Sequence, residues 1–138
     1  MPIFEQVLDK YPDSVKVVFK HYPLSIHNQA LPAALAAMAA AEQGKFWEYH
    51  DELFSNQNSL GSEKYLEIAK NLGLDLKKFS LDMMRPSLRQ KIEGDVAEAK
   101  KLGVTGTPAL FVNGRKLKSR DFAAISKLID EELAAEQK

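Results

Sequence analysis

Residues 103–118 read GVTGTPALFVNGRKLK, and this stretch decides the fold. Pro108 to Val112 is a short apolar run. Asn113-Gly114 after it is the strongest two-residue hairpin signal, because a type I′ turn needs positive φ at both central residues. Arg115 to Lys118 is then the return strand. Gly103 closes the helix upstream. Downstream, Phe122, Ile125, Leu128, Ile129 and Leu133 give a final helix its apolar face, with Ser119 or Asp121 near its start. Gly103 and Gly106 do not make a phosphate loop: no Lys-Ser/Thr follows, and they lead into a strand.

Towards the N-terminus the pattern is mostly helical. Ile3, Phe4, Val7, Leu8 and Tyr11 recur at helical spacing until Pro12-Asp13 stops them. Val15 to His21 is rich in β-branched and aromatic residues and is expected as a strand ended by Tyr22-Pro23. Asn28 is the expected N-cap of a long helix with Pro32 in its first turn. The alanines from Ala33 to Ala41 let that helix approach a neighbour closely. Beyond Gly44, Phe46, Trp47, His50, Leu53 and Phe54 mark one face of a second helix. Ser62 caps a third, with Tyr65, Leu66, Ala69 and Leu72 on its face, and Asp75 caps a short fourth. After Pro86, Leu88, Ile92, Val96 and Ala99 trace a stripe that ends at Gly103.

With 138 residues, 45% hydrophobic and 28% charged, the chain has the composition of one globular domain. Its 19 basic and 19 acidic residues cancel, so electrostatic capture of nucleic acid is not indicated. Ala30 to Ala41 is too short to span a bilayer core of roughly 30 Å, and the acidic residues near the start do not fit a signal peptide. As written, the chain is expected to be cytoplasmic and to need no membrane; a longer precursor would allow a periplasmic or exported protein. The cysteine count is zero, which excludes disulfides, thiolate metal sites and cysteine nucleophiles within these residues. His50, beside Trp47, Leu53 and Phe54, reads as a core histidine, and Phe46 and Trp47 read as core. His21 and His27 read as structural or solvated. A zinc site from His27, His50 and Asp51 has no ligand spacing in its favour. Glu48, Asp51 and Glu52 read as a solvated face rather than an acid/base pair.

Three segments together carry a likeness to a known family: Phe19-Lys20-His21-Tyr22-Pro23-Leu24; the alanine-rich helix followed by residues 44–54, GKFWEYHDELF; and Gly103-Val104-Thr105-Gly106-Thr107-Pro108. In this order and spacing, with the Asn113-Gly114 hairpin and the final helix, they resemble the DsbA-like branch of the thioredoxin superfamily over nearly the whole chain. The resemblance implies an α/β, thioredoxin-like fold, predominantly helical with about three short strands. It implies one domain over 1–138, with a helical insertion and flanking core helix at 27–102 and a cis-proline loop, hairpin and C-terminal helix at 104–138. Thr107 and Pro108 resemble the loop that faces the family's redox centre, where the residue before proline offers its backbone to an extended substrate. They are the implied substrate-binding residues. No catalytic residue, metal ligand or cofactor is assigned. A cis-proline kept for folding alone is the competing reading of the same pair.

The family's chemistry lies in a C-x-x-C pair at the start of the first core helix, where the helix dipole makes one thiol an attacking thiolate. That pair is not here. The comparison sets Met1-Pro2-Ile3-Phe4 at the proline kink of that helix, so the expectation is an N-terminally truncated form whose central strand is missing. Each unpaired buried amide costs about 1–3 kcal/mol, a large share of the 5–15 kcal/mol stability of a typical domain. The flanking strands would therefore pair directly, pair with a second copy, or accept a strand from another polypeptide. A homodimer through unpaired strand edges is the expected partner arrangement, with an extended peptide or thiol protein as a further partner at Thr107-Pro108. The functional expectation is a thiol-disulfide oxidoreductase relative that is redox-inactive as this chain. The alternatives are a non-enzymatic homodimeric or partner-binding module and, more weakly, a glutathione-binding relative.

Overall fold

A computed structural model of the chain describes residues 2–23 and 28–136. Its elements are α1 (Pro2–Lys10), α2 (Ala30–Ala41), α3 (Phe46–Ser55), a 3-10 turn (Gln57–Ser59), α4 (Ser62–Asn71), α5 (Leu76–Met83), α6 (Pro86–Lys101), β1 (Phe111–Val112), β2 (Arg115–Lys116) and α7 (Phe122–Glu136). They gather into two units, one of Met1–Phe19 with Val104–Lys138 and one of Lys20–Gly103.

In the Lys20–Gly103 unit the alanine run does what its small side chains permit. Ala36, Ala37, Ala39 and Ala40 are buried, and the backbone of α2 comes close to α3, α5 and α6. Tyr49, Tyr65, Ile68 and Phe79 complete this core, the Tyr49 and Phe79 rings lying 5.6 Å apart. Asp75 caps α5 as expected, its carboxylate accepting the Lys78 N–H at 3.0 Å. Asn28 does not cap α2. The helix starts at Ala30 behind Gln29, whose carbonyl accepts the Ala33 N–H and whose side-chain oxygen is taken by the Tyr65 hydroxyl at 2.8 Å. A contact from α4, remote in sequence, thus holds the residue before α2. The buried face of α3 is also displaced: Tyr49, His50 and Leu53 are inside, whereas Trp47 is 41% and Phe54 53% exposed. The Tyr49–Leu53 stripe at i, i+4 belongs to the core around the small α2 residues. On α4, Ile68 is buried and Leu66 is not.

The other unit packs α1 and the hairpin against α7. Val7, Tyr11, Leu117, Ile125 and Ile129 form its core. The Tyr11 hydroxyl donates to the Asp130 carboxylate and lies 2.8 Å from Ser126 Oγ, to which Lys10 Nζ also donates. The hairpin forms as expected: Phe111 pairs with Lys116 and Val112 with Arg115, and Asn113 and Gly114 have φ of 48° and 82°. Among the described residues these are the strands, two rather than about three. Val15 to His21, expected as a strand, forms no ladder. Val15 and Val17 are half-buried while Lys16 and Val18 are exposed, so the period-two pattern holds over these four residues and is lost at Phe19, which is exposed. Nor do this segment and β1 pair with each other.

Candidate functional site

The segment from Val104 to Leu110 is tied at both ends. Val104 is buried, and the Leu110 carbonyl accepts the Leu117 N–H at 2.9 Å, extending the hairpin by one bond. Between these anchors the loop is solvent-facing. The Thr107–Pro108 peptide is cis, and both residues are exposed. Thr107 forms no hydrogen bond with another group among the described residues, so its N–H and carbonyl are open to an incoming chain. Thr107 and Pro108 line a shallow cavity of about 250 Å³.

The second wall of that cavity is basic. Successive residues of a strand point to opposite sides. Leu117 is buried in the core against α7, and Arg115 reaches Glu131 of α7 at 3.0 Å. Lys116, Lys118 and Arg120, together with Leu117, line the Thr107-Pro108 cavity. None of these three cations has an ion-pair partner among the described residues. The nearest acid in sequence, Asp121, is occupied as the cap of α7: it accepts the Ala124 N–H at 2.7 Å and the Ser119 hydroxyl at 2.7 Å, and these bonds hold its carboxyl below the usual range. The sequence reading missed Lys116, Lys118 and Arg120. The alternation in RKLKSR around one apolar residue, Leu117, was the available signal.

His21 and His50 belong to the Lys20–Gly103 unit. Burial lowers the pKa of His50 against the opposing pull of Asp51, whose carboxylate lies 3.4 Å from Nδ1. Burial likewise lowers His21, against Asp95. His27 lies outside the described residues. Among those residues no group of three or more His, Cys, Asp or Glu is placed to hold a metal. A larger, open cavity of about 490 Å³ at the start of α4 is lined by Ser59, Gly61, Ser62, Glu63, Lys64 and Glu67, with Lys64 paired to Glu67 at 2.8 Å.

The thioredoxin family model matches residues 2–131. Among solved structures, the thiol-disulfide exchange protein alpha-DsbA2 from Wolbachia pipientis superposes with a TM-score of 0.81 at 25% identity, over 94% of this chain and 71% of that one. A thioredoxin-like oxidoreductase from Silicibacter pomeroyi DSS-3 superposes with a TM-score of 0.77 at 30% identity, over 100% of this chain and 78% of its own. The chain belongs to the thioredoxin family, in its DsbA-like branch. In sequence it is also 42% identical over 116 residues to the Na(+)/H(+) antiporter NhaA 3 of Salinispora tropica, covering 83% of this chain but only 18% of the antiporter. The chain thus spans about a fifth of the length of the curated relatives it matches. No helix among the described residues is long and apolar enough to cross a membrane.

Proposed function

We propose that residues 1–138 are a peptide-binding thioredoxin-fold module, which takes an extended polypeptide at Thr107-Pro108 and by itself exchanges no disulfide. The observation that carries this reading is the exposed Thr107-Pro108 loop with unsatisfied backbone groups at Thr107, beside a cavity. An extended chain adds to such a backbone as a strand adds to a sheet edge. The redox half rests on chemistry: disulfide exchange proceeds by thiolate attack on sulfur, and the 138 residues contain no cysteine. Membership in a branch that includes thiol-disulfide exchange proteins supports a role beside such chemistry, with any thiol contributed from outside these residues. Similarity to a stretch of an Na(+)/H(+) antiporter supports reading the fold as a module that accompanies other activities.

Calorimetric titration with a reduced, alkylated, unfolded polypeptide, run beside an insulin-reduction assay, tests the reading. Heat of binding with no reduction above buffer is expected. Absence of binding, or reduction above buffer, contradicts it.

A second reading, association of two copies, draws on one specific feature. The ladder from β1 runs to β2 alone among the described residues, which leaves its other edge open, and Phe111 on that strand is 36% exposed.

A further inference from the structure

Lys116, Lys118 and Arg120 share the Thr107-Pro108 cavity with no acidic residue lining it, in a chain whose total charge is zero. Three cations along one cavity, without an acidic partner among the described residues, make a local positive field. Arg115, one residue before Lys116, does have an acidic partner in Glu131. Here the one acid adjacent in sequence, Asp121, is committed to capping α7.

The spacing is informative as well. Lys116 ends β2 and Lys118 follows two residues on, at a bend, so the two cations leave the chain close together. An extended ligand presents alternate residues on one face about 6.6 Å apart, so carboxylates at alternate positions can meet a cluster of neighbouring cations. We infer that the segment taken at Thr107-Pro108 is acidic, with Asp or Glu at alternate positions facing Lys116, Lys118 and Arg120. This inference rests on the peptide-binding reading above and adds the substrate class to it. Nucleic acid fits less well: the basic face is confined to one cavity, whereas backbone tracking uses a long stripe of positive charge.

The test uses the full chain and three probes: a peptide alternating Glu and Thr, its Gln–Thr counterpart, and single-stranded oligothymidylate, with binding read by fluorescence anisotropy. The Glu–Thr peptide is expected to bind roughly tenfold more tightly than the Gln–Thr peptide, as a few exposed ion pairs allow. The preference should vanish in the K116E/K118E/R120E variant and in the neutral K116Q/K118Q/R120Q variant. It should also shrink between about 0.01 M and about 1 M salt, as the Debye length falls from about 30 Å to about 3 Å. Equal binding of both peptides overturns the acidic preference while leaving peptide binding standing. Binding of neither peptide overturns both readings. Oligothymidylate binding as tight as the Glu–Thr peptide overturns the assignment to a peptide, and a preference that survives charge reversal moves the site elsewhere.

Discussion

Asp95 shows how much of the Lys20–Gly103 unit hangs on single polar groups. It is 3% exposed and accepts the His21 N–H at 3.0 Å and Lys91 Nζ at 2.9 Å, fixing the segment after Phe19 to α6. Burial pushes its carboxyl up, but the His21 amide, Lys91 and Lys20 together outweigh burial and hold it below the usual range. Asp95→Ala leaves a buried amide without an acceptor and is expected to cost about 1–3 kcal/mol, read from the urea unfolding midpoint. An unchanged midpoint would show that the amide finds another partner. Asp82 is held low by its hydrogen bond from Lys78, with Arg85 assisting against burial. His21 and His50 are depressed by burial, so the unfolded chain protonates before the folded one. Stability is then full above pH 6.5, the ordinary histidine value, and falls as pH drops below it. The carboxylates add a second loss below 3.8. Thermal unfolding followed from about pH 7.5 to about pH 5.5 should show Tm decreasing; a flat or rising Tm contradicts neutral buried histidines.

Among the elements, what the sequence disclosed depends on where each instruction resides. The hairpin was legible because the positive φ of Asn113 and Gly114 is a local demand that these two residue types meet. The Asp75 cap was legible for the same reason. The strand expected at Val15 to His21 failed because a ladder is a property of two segments, and β propensity says nothing about the second. The start of α2 lies past Asn28, behind Gln29, which caps it without a side-chain bond. At the candidate site, the motif marked Thr107 and Pro108, and their peptide is cis. Lys116, Lys118 and Arg120 were not marked, since their lining one cavity with the loop depends on how the hairpin and the segment after it fold beside Thr107-Pro108. The alanine run carries its own prediction at this scale. Ala40 is fully buried where α2 meets its neighbours, so Ala40→Leu should overpack the core and lower stability by about 1–3 kcal/mol in urea unfolding. No change would mean that the helices around α2 yield more readily than a packed interior does.

For the molecule as a whole, the fold is that of the thioredoxin family, and the 138 residues hold no cysteine to exchange a disulfide. The open edge of β1 bears on assembly. If two copies use it, light scattering at micromolar concentration should give twice the mass of the 138-residue chain, and a compact monomer at that concentration would count against association. The most direct measurement is a two-dimensional NMR titration of the full chain with the Gln–Thr peptide, which isolates the backbone contribution from charge. The account predicts shift changes concentrated at Thr105 to Leu110 and along Lys116 to Lys118, bordering the Thr107-Pro108 cavity. Saturable shifts centred on other elements, or none at any concentration, would contradict it.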